Sequence, residues 1–150
     1  MVDRARVDQL LALLARYVRI LHELSTTSVD EFRNDPRNYG SGERFLQLAI
    51  ETTLNIGHHI VAAEGFDQPK TYAEVFTVLG KEGVLDRDFA TSLEPMARMR
   101  NRLVHVYGDV DPALVHEVLS SRLGDFDRFA QEIISYLERS DQEDTPPAAL

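Results

Sequence analysis

Apolar residues recur at steps of three and four along most of the chain, the period of helices that bury one face. Val7, Leu10, Leu11, Leu14, Val18 and Leu21 trace one stripe through residues 3–24, with Arg4, Arg6, Arg16 and Arg19 mostly off it as a solvated face. Ser28 and Glu31 have capping-box spacing, in which a hydroxyl and a carboxylate satisfy the free N–H groups of a first helical turn. Residues 34–40, rich in Asn, Asp, Pro and Gly, read as a loop, with Arg37 and Tyr39 on its surface. Ser41 then caps a second helix, about 42–64, with a stripe of Leu46, Ala49, Ile50, Thr53, Gly57, Ile60 and Val61, widened by Leu48, Leu54 and Ile56. A stripe that wide predicts a central helix. Gly57 inside it destabilises a helix relative to Ala, so it predicts a close approach at a helix crossing or a dimer seam.

Thr71 and Glu74 repeat the capping-box spacing and open a short helix, 71–82, with Val75, Phe76 and Leu79 inward and Gly80 and Gly83 at its end. Asp86 caps a fourth helix, 87–106, whose buried face is Leu93, Met96, Met99, Leu103 and Val106. Pro95 predicts a kink or break near 91–95. Asp111-Pro112 is an N-cap followed by proline at N1, starting a fifth helix to about residue 139. Its inward positions are Leu114, Val115, Val118, Leu119, Leu123, Phe126, Phe129, Ile133, Ile134 and Leu137, with His116 exposed near its start. No segment alternates as a strand does. The prediction is an all-α bundle of four to five helices with antiparallel neighbours.

Composition narrows the class without naming a function. The chain has 150 residues, 43% of them hydrophobic, enough for one domain with a core, placed at residues 1–140. Residues 141–150 are acidic and then proline-rich, and are expected to be disordered. The absence of cysteine excludes disulfides and thiolate metal sites. No apolar run is long enough to span a membrane, and Met1–Arg6 lack the pattern of a signal peptide, so the cytoplasm is the expected location. The net charge of -9 and a pI near 4.9 argue against unspecific binding along nucleic acid, which relies on a basic footprint.

One stretch reverses that sign. Arg98, Arg100 and Arg102 fall in a segment with no acid between Glu94 and Asp109, and they are followed by His105 and Tyr107. An arginine presents a rigid fork of donors that suits a phosphate and keeps its charge. Histidine can take or give a proton near neutrality, and tyrosine adds a hydroxyl and a stacking face. On an ideal helix Arg100 and His105 stand about 140° apart, whereas Asn101 and His105 share a face. The first pair converges on one ligand if the helix distorts or ends near His105, or if a second copy of the motif faces the first. Arginines near a helix C-terminus also suit its dipole, and a structural role explains such a cluster equally simply.

Other candidates weigh less. His58 and His59 are adjacent, so on a helix they diverge by about 100°, and only Glu51 or Glu64 lies near ligand spacing; no metal site is assigned. Glu51 is an acid on an apolar helix. It either orients an arginine across the bundle or makes an ordinary surface salt bridge.

The run Met99-Arg100-Asn101-Arg102-Leu103-Val104-His105-Val106-Tyr107 resembles the signature of HEPN-domain proteins of the HepT toxin type, R-x4-H-x-Y within an RN-x-LVH core. The likeness extends to Arg44–Glu51 and to Pro69–Phe76 with Leu79 and Gly83, and covers most of residues 3–138. The resemblance implies a HEPN-type helical bundle acting as a homodimer, with two motifs facing each other across the seam. It implies a metal-independent endoribonuclease toxin of a type VII toxin–antitoxin pair, needing no cofactor, with Arg100 and His105 catalytic. Asn101 and Arg102 are candidates to hold RNA, Arg102 equally a plain surface charge. It further implies an MntA-like nucleotidyltransferase antitoxin that silences the toxin by transferring AMP to Tyr107, adding charge and bulk beside the phosphate site. The alternative is a catalytically silent helical dimer that only binds a nucleotidyltransferase. Which RNA would be cut is not legible here.

Overall fold

The computed structural model describes residues 1–105 and 110–148, and every regular element among them is α-helical. The five predicted helical segments and the predicted short turn are all present, divided into eight helices: α1 (Arg4–Ser25), α2 (Val29–Asn34), α3 (Pro36–Glu64), α4 (Tyr72–Lys81), α5 (Arg87–Ser92), α6 (Glu94–Val104), α7 (Pro112–Ser121) and α8 (Gly124–Glu143). None is long and apolar enough to cross a membrane.

α3 is the axis, in contact with α1, α2, α4, α6, α7 and α8. Its predicted stripe is buried, from Leu46 to Val61, and the hydroxyls of Thr52 and Thr53 are satisfied by donating one turn back to Leu48 O and Ala49 O at 2.7 and 2.9 Å. α1 runs antiparallel to it. The Asp3 N–H donates to His59 Nε2 at 3.1 Å, while Tyr17 meets Phe45 with ring centroids 6.0 Å apart. Phe32, Phe76, Phe126 and Phe129 fill the core between α3 and its neighbours. Gly57 marks a helix crossing within the protomer: a Cβ there would stand 2.6 Å from Val75 Cγ1 on α4.

Several sequence expectations are corrected. Residues 36–40 are not a loop but the first turns of α3, and the N-cap is Asp35 rather than Ser41. Asp35 accepts from the Arg37 N–H at 3.0 Å and also holds the Arg37 guanidinium, and Pro36 at the helix start needs no partner for a missing N–H. The carboxyl of Asp35 is lowered by that Arg37 hydrogen bond. The break expected near Pro95 is present, at Leu93, where α6 restarts with Pro95 in its first turn, whereas the fifth segment, read as one helix, breaks at Arg122–Leu123. Arg122 ties both junctions together, donating to Asp125 Oδ2 at 2.8 Å and to Ser92 O at 3.1 Å. Ile134 is 41% exposed rather than inward, and Met96, Met99 and Leu103 are only half-buried. α8 runs to Glu143, three residues into the stretch read as tail, where Arg4 on α1 pairs with Asp141. His116 is half-buried, not exposed: its Nε2 lies 2.7 Å from Thr27 O and its ring 5.3 Å from that of Phe32.

Candidate active site

α6 carries the basic segment, and its geometry divides the three arginines. Residues two apart on a helix diverge by about 200°, so Arg98 and Arg102 share one face and Arg100 takes another. Arg98 and Arg102 line an apolar groove of about 390 Å³ together with Met96, Met99, Leu114 and Val118. That groove explains the half-buried methionines: among the described residues it stays open beside them. The single basic patch read from the sequence is therefore two separate features.

Arg100 turns toward α3 and α4. Its Nε lies 3.3 Å from Glu51 Oε1, and its Cζ lies 4.6 Å from the centroid of the Tyr72 ring. Glu51 is itself held by the Gln47 side chain, whose Nε2 donates to the same Oε1 at 3.2 Å. Of the two readings of Glu51, the cross-bundle one holds, since a helix-3 acid grips a helix-6 arginine. The buried Nε–H is not aligned with the carboxylate, so attraction between charges rather than a formed hydrogen bond holds this pair. Nη1 lies 3.4 Å from Asn101 Oδ1. A guanidinium has five N–H donors, so hydrogens on the outer nitrogens remain for an incoming anion.

His105 is placed by the end of α6. It is the C-cap, with φ -72° and ψ 118°, and its N–H donates to Asn101 O at 3.3 Å. The helix thus ends at Val104, two residues earlier than predicted, and the extended backbone takes the exposed imidazole off the helical track. This is the helix ending near His105 that the spacing called for. Asn101, on the last turn, touches both: its side chain meets Arg100 and its carbonyl anchors His105. Arg102 is exposed on the groove side of α6. Tyr107, the expected modification site, lies outside the described residues.

The adjacent histidines serve different neighbours. His59 accepts from the start of α1, and the His58 ring meets the Tyr72 ring edge-on at 6.3 Å. Among the described residues no three His, Asp or Glu side chains gather as a metal site. Sequence reasoning missed Gln47 and Tyr72. Both sit inside or beside segments that carry the resemblance, but nothing local to residues 47 or 72 signals an arginine on α6.

The arrangement can bind a phosphate with a preset guanidinium and move a proton with an exposed imidazole one helical turn along. Known proteins agree in kind. A family model described as Ribonuclease HepT-like matches residues 14–133. A protein named tRNA nuclease HepT from Aphanizomenon flos-aquae (strain 2012/KM1/D3) is 30% identical over 142 residues, covering 95% of this chain and 97% of that one. One named mRNA nuclease HepT from Shewanella oneidensis is 26% identical over 108 residues, covering 63% and 81%. The solved structure of a tri-AMPylated Shewanella oneidensis HEPN toxin in complex with MNT antitoxin superposes with a TM-score of 0.78 at 22% identity, over 86% of this chain and 96% of that one. With four-fifths of its length matched by the family model, and a site built on the motif that first suggested it, this chain belongs to the HepT-like ribonuclease family.

Proposed function

We propose that this protein is a metal-independent endoribonuclease toxin of a type VII toxin–antitoxin pair, acting in the cytoplasm as a homodimer. The observation that carries the reading is the pairing of a pre-oriented Arg100, held by Glu51 and Tyr72, with an exposed His105 released from α6. In such a reaction the ribose 2′-oxygen attacks the adjacent phosphorus, and the bond from phosphorus to the 5′-oxygen breaks. A base takes the 2′-proton, an acid supplies one to the leaving 5′-oxygen, and fixed positive charge stabilises the dianionic phosphorane between them. Arg100 supplies that charge and His105 one of the proton transfers. One protomer contributes a single motif imidazole, so a dimer that opposes two motifs supplies the second along with a second arginine. Asn101 supports both residues. Arg102, on the other face of α6, is assigned a place along the RNA rather than at the reacting phosphate.

The named relatives support RNA as substrate. The AMPylated toxin bound to MNT antitoxin supports regulation by an MntA-like nucleotidyltransferase, with Tyr107 as the acceptor by its place in the motif. Charge near the site is consistent with the chain's net -9, because exposed charges beyond about 10 Å are largely screened. The test is cleavage of mixed tRNA and mRNA by purified protein in chelator, beside His105→Ala. Wild-type cutting that the variant loses by at least about 100-fold, the usual scale of acid–base catalysis, supports the reading. If neither cuts while mass spectrometry shows Tyr107 unmodified, the silent binding partner of a nucleotidyltransferase becomes the better description.

A further inference from the structure

Tyr72 stands apart from the other described aromatic residues. It is 38% exposed, the first residue of α4, and it lies against the motif arginine, 4.6 Å from Arg100 Cζ. Its position is fixed from several sides. Thr71 caps α4 by accepting from the Glu74 N–H at 3.2 Å, and the Lys70 N–H donates to Glu74 Oε2 at 2.6 Å. The His58 ring meets Tyr72 nearly perpendicular, at 79°. Beneath them, Gly57 allows α4 to approach α3 so closely that a Cβ would collide with Val75. The end of α4 that carries Tyr72 is therefore built rigidly.

A planar, weakly hydrated guanidinium is well suited to lie over an aromatic face. Glu51 holds Arg100 at one point, the Nε, and does so without an aligned hydrogen bond. With only that ion pair and the long 3.4 Å contact from Nη1 to Asn101 Oδ1, the plane of the guanidinium is loosely set. The Tyr72 ring, with Arg100 Cζ over its face, narrows this freedom, and a guanidinium stacked flat on a ring spends no N–H on it. We infer that Tyr72 is a positioning residue for Arg100, its ring setting the plane in which the guanidinium presents donors to the scissile phosphate; the inference rests on Arg100 binding that phosphate. The hydroxyl takes no part, so phenylalanine should serve as well.

The test compares wild type with Tyr72→Phe, Tyr72→Leu and Tyr72→Gln. Because the ring is more than a third exposed, its loss opens no core cavity, and a second ringless variant guards against misfolding of the first. Two readouts are taken: steady-state RNA cleavage, and the Nε–Hε resonance of Arg100 in a ¹⁵N correlation spectrum, assigned by its loss in Arg100→Lys. The expected result is a kcat about tenfold lower in both ringless variants with KM within roughly twofold, and near-wild-type values in Tyr72→Phe. The Arg100 resonance should lose its ring-current shift in the ringless variants and keep it in Tyr72→Phe. Cleavage unchanged without the ring, an equal loss in Tyr72→Phe, or a rise in KM alone would each overturn the inference, the last pointing to base stacking. If wild type cuts no RNA, the nuclease reading has failed by itself, and an Arg100 resonance that does not move without the ring overturns the positioning role independently.

Discussion

At the scale of single residues, two carboxylates on α3 are informative because their surroundings differ. Glu51 balances a cation: it orients Arg100 but also offsets the charge that would attract phosphate. Glu51→Gln should therefore lower kcat, by about tenfold if orientation dominates, without raising KM for RNA; steady-state kinetics separate the two effects. Glu43 has no such partner among the described residues, and burial pushes its carboxyl above the usual glutamate value. A group whose folded pKa is raised favours the fold when protonated, so its contribution is full below the ordinary glutamate range and is lost as pH rises through the raised value. Glu43→Gln should then melt above wild type at neutral pH, the gap closing as pH falls below that range. Glu117→Gln, on an exposed position, controls for the general relief of lowering the negative charge. For His105 the cost of substitution should fall on activity alone, since the side chain is exposed and only its backbone N–H closes the end of α6.

At the scale of elements, local chemistry was read correctly where one signal was present and misread where two competed. Ser28, Thr71, Asp86 and Asp111 each cap the helix they were expected to cap. Asp35-Pro36 is the same Asp-Pro signal as Asp111-Pro112, but the Asn, Tyr and Gly around it suggested a turn, and the longer helix won. Gly42, two residues further on, is set by packing, because a Cβ there would stand 2.6 Å from the Phe32 ring. Gly57 is the corresponding residue at the α3–α4 crossing. Overpacking costs about 1–3 kcal/mol and the helical gain of alanine over glycine returns roughly 1. Gly57→Ala should thus destabilise by up to about 2 kcal/mol, a fall in Tm of up to several degrees by calorimetry or circular dichroism. The groove beside α6 is an element-scale finding as well. A helix that carries Arg98 and Arg102 on one side and Arg100 on another presents two separate features, and composition cannot distinguish that from one basic cluster.

At the scale of the whole molecule, the proposed site is shared between copies. If each reaction needs the imidazoles of two opposed motifs, wild-type protein unfolded and refolded with an excess of His105→Ala should lose cleavage per wild-type chain, because a mixed dimer holds a single motif imidazole. The comparison is wild type refolded alone; cleavage that stays in proportion to the wild-type chains, with mixed dimers shown to form, would place the whole reaction within one protomer. Cleavage should also weaken as salt rises, because an acidic protein reaches RNA only through local positive charge.

Helical class, the caps Ser28, Thr71, Asp86 and Asp111, the central place of residues 42–64 and the presence of the Arg100–His105 motif were legible in the sequence itself. Each depends on neighbours within a turn or two: a period of 3.6, a hydroxyl three residues before a carboxylate, a run of motif residues with few equivalents elsewhere. Tertiary structure alone decided the rest. It divided one arginine cluster between two faces, drew Glu51 and Tyr72 to Arg100 from helices distant in sequence, and gave His116 a backbone carbonyl to bind. Such pairings depend on the angles at which helices cross and on where each one breaks. Those are set by how the whole core fills space, a property that no single stretch of the chain contains.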